Sequence, residues 1–99
     1  MSLSSKQQRH LRSLAHHLRP VVMIGQHGLK ESVFVEVDGA LSAHELIKIR
    51  VAADHRDDRL EMIDRLCAET GAELVQRIGH TAVLFRRNDE KPRIELPAA

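Results

Sequence analysis

Glycine recurs at a four-residue interval in Gly25-Gln26-His27-Gly28, followed at once by Leu29 and Lys30. Two glycines strip side chains from a short stretch of backbone, so a phosphate or sugar could approach its N–H groups closely. A helix beginning just after the loop would present unpaired amides and a positive dipole end, both of which favour an anion. Lys30, placed in the first turn of such a helix, adds a mobile cation. Gln26 and His27 carry groups able to donate to phosphate, sugar or a base. The same string also suits an ordinary strand-to-helix turn, and spacing alone does not separate the two.

A second pattern lies upstream. Arg9, Arg12, His16 and Arg19 step by three or four residues, with Lys6 one step earlier. On a helix they share a face and could neutralise several phosphates together. A solvated helix face reads the same way. Lys48 and Arg50 alternate with Ile47 and Ile49, so they mark one side of a strand, either as more basic surface or as its soluble face. Arg86 and Arg87 near the last strand pose the same choice. Other chemistry finds little support. His16 and His17 diverge by about 100° on a helix, and His44-Glu45 has no local partner, so no metal ligand set forms. Cys67 falls on an apolar stripe, where a thiol is inert. Asp54, Asp57 and Asp58 sit at a helix start, where capping accounts for them. No nucleophile-elbow or Walker-type loop is present. No catalytic constellation and no cofactor are expected.

The elements that would position these residues follow from periodicity. Leu11, Leu14, Ala15 and Leu18 predict a first helix over Ser4–Leu18, capped by Ser4 or Ser5 and ended by Pro20. Val21-Val22-Met23-Ile24 predicts a short buried strand. Leu29–Leu41 predicts a second helix, with Val33, Val37, Ala40 and Leu41 on one face. Glu45–Val51 alternates as a half-buried strand. A third helix is expected from Asp57 or Asp58, with Glu61 completing a capping box, Leu60, Ile63, Leu66 and Cys67 inward and Gly71 as its stop. Ala72–Ile78 and Thr81–Arg87 predict a hairpin about Gly79-His80. The order α-β-α-β-α-β-β predicts a single compact α/β domain over residues 1–88, a mixed four-stranded sheet with helices packed against it. Residues 89–99 read as a flexible tail.

Composition bounds the function. The chain has 99 residues, enough for one core, and net charge +1. That charge is uneven. Residues 1–30 carry five basic residues and no acid; residues 31–99 carry ten basic and fourteen acidic, hence −4. A basic face for a polyanion is one reading. Aromatics are confined to Phe34 and Phe85, so little base stacking is available. One cysteine excludes an internal disulfide. The opening Met1-Ser2-Leu3-Ser4-Ser5-Lys6 lacks a signal-peptide core, and no apolar run is long enough to span a membrane. A cytoplasmic protein is expected.

Several stretches resemble a known family. Leu11-Arg12-Ser13-Leu14-Ala15-His16-His17-Leu18-Arg19-Pro20-Val21-Val22 is similar to the opening of the CRM domain (chloroplast RNA splicing and ribosome maturation), above all its stand-alone bacterial YhbY-like form. Ile24-Gly25-Gln26-His27-Gly28-Leu29 resembles its glycine loop, His44-Glu45-Leu46-Ile47-Lys48-Ile49 its second strand, Leu74-Val75-Gln76-Arg77-Ile78-Gly79 its third, and Val83-Leu84-Phe85-Arg86 its fourth. The resemblance spans about residues 5–87. It implies a fold like the C-terminal domain of translation initiation factor three, with a KH-like GXXG loop of the kind that clamps a nucleic-acid backbone. It also implies RNA binding and association with precursors of the large ribosomal subunit. The family's loop glycines carry over onto Gly25 and Gly28, and its basic helix face onto Arg9, Arg12 and Arg19. The family commonly has lysine after the first loop glycine; here Gln26 removes that charge and leaves the backbone mechanism intact. The expected RNA contacts are therefore Gly25, Gln26, His27, Gly28, Leu29, Lys30, Lys6, Arg9, Arg12, His16, Arg19, Lys48 and Arg50, in a ribosome-assembly factor. Two other readings stay open: a module docking on ribosomal proteins without touching RNA, and a hydrolase with an unrecognised site.

Overall fold

Each apolar stripe read from the sequence needs a partner surface, and one sheet supplies it to all three helices. The computed structural model describes residues 3–99; Met1 and Ser2, part of the opening read against a signal peptide, lie outside the described residues. Three helices and four strands follow the expected order: α1 (Ser5–Ala15), β1 (Pro20–Ile24), α2 (Glu31–His44), β2 (Leu46–Val51), α3 (Arg56–Thr70), β3 (Glu73–Ile78) and β4 (Thr81–Phe85). Among the described residues no helix is long and apolar enough to cross a membrane.

The sheet order is β1-β2-β4-β3, with β1 parallel to β2 and the β2–β4 and β3–β4 pairs antiparallel. α2 and α3 cover one face. Val37 and Leu41 of α2 and Ile63 and Leu66 of α3 enclose Val22, Ile24, Ile47, Ile49, Val51 and Leu84. α1 covers the other face, where Leu11 and Ala15 meet Leu46, Val75, Val83 and Phe85. The domain therefore has three layers. Side-chain alternation makes this possible, because successive strand residues feed opposite cores.

Local signals decide the boundaries. The Ser4 hydroxyl accepts from the Gln7 N–H at 3.1 Å, and the Gln7 carboxamide accepts from the Ser4 N–H at 3.1 Å, a reciprocal capping box. α1 stops at Ala15, earlier than expected. Leu14 and Leu18 consequently stay partly exposed, and only Leu11 and Ala15 of the predicted stripe are buried. β1 is an edge strand and not a buried one. Val22 and Ile24 face the core while Val21 and Met23 are exposed, and Pro20, which has no N–H to donate, sits at its start. α3 begins at Arg56 after His55, without a side-chain cap, so the expected box from Asp58 to Glu61 does not form. Asp57 and Asp58 instead occupy the first turn, where the helix dipole favours them. Gly71 ends α3 at φ +74°, and Gly79 opens the two-residue hairpin at φ +57°, both in the left-handed region.

One buried charge holds the junction between layers. α2 passes into β2 with a single residue between them, Glu45, at φ +64°. Its carboxylate is fully buried and accepts from the N–H groups of Asn88, Arg93 and Ile94 at 2.7, 2.6 and 2.8 Å. Residues 89–99, expected as a flexible tail, form no helix or strand but contact the domain. Ile94 and Leu96 pack on the α1 core, and the Gln7 carboxamide donates to the Pro97 carbonyl at 3.0 Å. No local pattern announces these contacts, because the anchor lies more than forty positions upstream.

Burial pushes the Glu45 carboxyl up, but the three amides and the nearby Arg87 guanidinium outweigh it and hold it below its ordinary range. A depressed carboxyl stabilises the fold above the ordinary carboxylate range and loses that contribution as pH falls toward its folded value. Glu45→Gln would turn an amide donor toward the Asn88 N–H. We expect it to cost on the order of 3 kcal/mol at pH 7. The gap from wild type should shrink below about pH 4, as read by urea unfolding at both pH values.

Candidate nucleic-acid interface

The Gly25–Gly28 segment forms a closed turn, with the Gly28 N–H donating to the Gly25 carbonyl at 3.1 Å. Gln26 and His27 occupy its tip and are exposed. Gly28 has φ +81°, and a Cβ there would lie 3.7 Å from the Met62 methyl of α3, an ordinary contact. Its glycine requirement is therefore conformational. Gly25 has ordinary φ and open space where a Cβ would stand. Leu29 is half-buried against the α2/α3 core and anchors the loop's exit. Lys30 is exposed and is the residue before α2, not within its first turn. It provides no side-chain cap, so the opening amides of α2 gain no partner from it. Glu31 follows in the first turn and opposes an anion there.

The structure does not bring every expected contact together. β1 separates two groups by its five residues, about 17 Å of strand. At its far end lie the loop, Lys30 and Arg50, which pairs in register with Met23. At its near end lies Arg19, with Lys48 opposite Pro20. Arg19 and Lys48 share the rim of a groove of about 520 Å³ floored by Leu14, Leu18, Val21 and Leu46. Lys6, Arg9 and His16 are exposed and Arg12 half-buried, on the side of α1 turned away from Leu11 and Ala15. The His16 and His17 rings meet edge-on at 5.6 Å. The basic surface is thus two clusters, not one continuous face.

Arg86 and Arg87 are structural. Arg86 pairs with the Asp38 carboxylate at 2.6 Å and donates to the Asp38 and Thr70 carbonyls and the Ser42 hydroxyl. Arg87 donates to the Ile94 carbonyl at 3.0 Å. These bonds occupy their guanidiniums inside the fold. Cys67 is half-buried, and burial pushes its thiol up to about 11, with the Asp64 and Glu73 carboxylates adding to the rise. At neutral pH almost none of it is thiolate, so it makes a poor nucleophile.

Sequence reasoning passed over Arg56, Arg59 and Arg77. They come together between the start of α3 and the hairpin, at the loop's end of the sheet. Charge counting along the chain had averaged them with neighbouring acids.

The model of the CRS1 / YhbY (CRM) domain matches residues 3–86. An RNA-binding protein of Haemophilus influenzae is 48% identical over 96 residues, covering 97% of this chain and 96% of that protein. A provisionally named RNA-binding protein of Pseudomonas aeruginosa is 43% identical over 88 residues, covering 89% of this chain and 85% of that one. A Staphylococcus aureus protein solved in solution, with a provisional RNA-binding designation, superposes with a TM-score of 0.83 at 42% identity. It covers 97% of this chain and 100% of that one.

The two loop glycines should respond differently to alanine. Gly28→Ala forces a side chain into the left-handed region and should cost about 1–2 kcal/mol. Gly25→Ala should stay within about 0.5 kcal/mol of wild type. Chemical denaturation of both variants checks this; equal losses would contradict the conformational account.

Proposed function

Because the chain belongs to the CRS1/YhbY (CRM) domain family, we propose that it is an RNA-binding protein whose Gly25–Gly28 loop meets the RNA backbone. The observation that carries this reading is the loop itself: a closed turn held by Gly28 at positive φ, opening onto a helix whose first amides lack a side-chain cap. Gly25 and Gly28 keep the backbone accessible. Gln26 and His27 contact phosphate, sugar or a base. Leu29 anchors the loop, and Lys30 supplies charge beside it. On the α1 side Lys6, Arg9, Arg12, His16 and Arg19 add electrostatic attraction, with Lys48 beside Arg19 and Arg50 at the loop's end of the sheet. We take the partner to be ribosomal RNA of the large-subunit precursor and the role to be ribosome assembly in the cytoplasm, a binding role and not an enzymatic one. Recognition by shape and backbone suits a chain with two aromatic residues, both phenylalanine.

The loop is tested by two variants at one position. Asparagine and aspartate tolerate positive φ better than other side chains, so Gly28→Asn and Gly28→Asp should both fold. Binding is read by anisotropy on labelled fragments of large-subunit ribosomal RNA, and by co-migration with ribosomal particles in gradients. Gly28→Asp should lose binding about tenfold or more, while Gly28→Asn keeps most of it. Unchanged binding by Gly28→Asp would remove the loop from the interface. Co-migration with particles but no binding to naked fragments would favour docking on ribosomal proteins.

The α1 face is tested through salt. Arg9→Ala with Arg12→Ala should weaken binding and flatten the slope of log K against log salt by about 0.7–0.9 for each phosphate released. An unchanged slope would take α1 off the RNA-facing side.

A further inference from the structure

The end of the sheet that carries the glycine loop carries a second basic feature. Between the start of α3 and the β3–β4 hairpin lies a cleft of about 240 Å³, lined by Arg56, Arg59, Leu60, Arg77 and Gly79. Its lining contains three arginines and no acid. Drug-sized pockets begin near about 300 Å³, so a compact charged group fits this one better than a metabolite. Asp54, Asp57 and Asp58 are close in sequence, yet among the described residues no carboxylate forms an ion pair with Arg56, Arg59 or Arg77.

The cleft has a fixed member. Arg59 donates through Nη1 to the carbonyls of Ala53 and Asp54 at 2.8 and 2.9 Å, and that nitrogen lies 3.3 Å from the His80 Nε2. Carbonyls orient a guanidinium without neutralising it. Arg77 pairs in register with Ala82, on the sheet face that α3 covers, one position before the last hairpin pair, Ile78 with Thr81. It therefore meets α3 where the helix begins. Guanidiniums present a planar fork of donors that matches phosphate oxygens. The one apolar side chain in the lining, Leu60, offers no stacking surface, which points to a backbone phosphate and not a base.

Position links the cleft to the loop. Gly28 faces Met62, six residues beyond Arg56 on α3, about 9 Å of helix. The Ala52 N–H donates to the Ile24 carbonyl at 2.9 Å, and the Val51 N–H to the His80 carbonyl at 2.7 Å. The strand feeding the loop and the hairpin lining the cleft are thereby tied through the exit of β2.

We propose that Arg56, Arg59 and Arg77 form a phosphate-binding cleft that takes one backbone phosphodiester of the RNA that meets the Gly25–Gly28 loop. The proposal rests on the RNA-binding reading above.

Arg56→Gln with Arg77→Gln tests it, leaving Arg59 to hold its two carbonyls. The probe is the tightest-binding labelled fragment of large-subunit ribosomal RNA, and Lys91→Gln with Arg93→Gln is the charge-matched control. The cleft pair should weaken binding about tenfold or more and flatten the salt slope by about 0.7–0.9, the signature of one phosphate. Each single variant should approach the double, because both side chains serve one ligand. The control should stay near wild type. Equal losses in the cleft pair and the control, or an unchanged slope in the cleft pair, overturn the proposal. Wild-type protein that binds no fragment overturns the RNA-binding reading, and the cleft's ligand with it. A titration with inorganic phosphate, followed by the arginine Nε–H resonances, separates the phosphate sources. Saturable shifts at Arg56, Arg59 and Arg77 without any loss of RNA affinity in the variants assign the cleft to free phosphate and overturn the RNA assignment.

Discussion

A four-stranded sheet with apolar side chains on both faces must be covered twice, and the second cover here is short. β2 shows the constraint. Ile47, Ile49 and Val51 enter the core beneath α2 and α3, while Leu46 on the opposite face enters the core beneath α1. Lys48 and Arg50 follow Leu46 on that same face, and there the cover thins: Lys48 is half-buried and Arg50 exposed. α1 has eleven residues, about 16 Å of helix, and shields only the end of the sheet near Leu46 and Phe85. At the other end Met23 and Ile78 stay 65% and 64% exposed. That open end is where the glycine loop, the hairpin turn and the start of α3 converge. The fold thus leaves free the region where backbone and charge are most available.

The short layer needs help from outside α1, and Glu45 recruits it. A buried carboxylate is costly unless its lone pairs are filled. Three backbone amides fill them here, all from residues 88–94. Once those residues are drawn in, Ile94 and Leu96 extend the α1 core. The same residue absorbs the abrupt passage from α2 to β2 through its positive φ, a conformation that costs a non-glycine residue roughly 1–3 kcal/mol. Backbone strain and charge burial are accepted at one position, and the return is a second layer extended by Ile94 and Leu96.

Much of this was legible because period and punctuation are local. The alternation of Glu45–Val51 announces β2, Gly71 the end of α3, and Gly79-His80 the hairpin. Two kinds of feature were not legible. Glu45 occupies a positive-φ conformation for which a sequence reader expects glycine, and its partners lie at positions that look like a polar tail. The cleft of Arg56, Arg59 and Arg77 joins the start of a helix to a strand about twenty residues later, so no spacing rule finds it. Segment charge misled in the same way. The acid-free first thirty residues drew attention to α1, while the −4 remainder held three arginines gathered in a cleft whose lining contains no acid. The GXXG string showed where the loop lies but not that its two glycines differ. Only Gly28 needs the left-handed region.

The separation of the basic groups along β1 bears on how the proposed RNA contact would work. α1 itself carries no acid, and its basic side chains suit the capture of a polyanion at a distance. The loop side is mixed. Glu31, Asp54, Asp57 and Asp58 are close in sequence to Lys30, Arg50, Arg56 and Arg59. What that side offers is oriented groups: a turn closed by the Gly28 N–H on the Gly25 carbonyl, and a guanidinium pinned by two carbonyls. Such groups act only at contact, where geometry decides the energy. Gln26 in place of lysine fits this division, since a charge at the loop tip would add attraction without orientation. On this view α1 brings the RNA in, and the open end of the sheet sets its register.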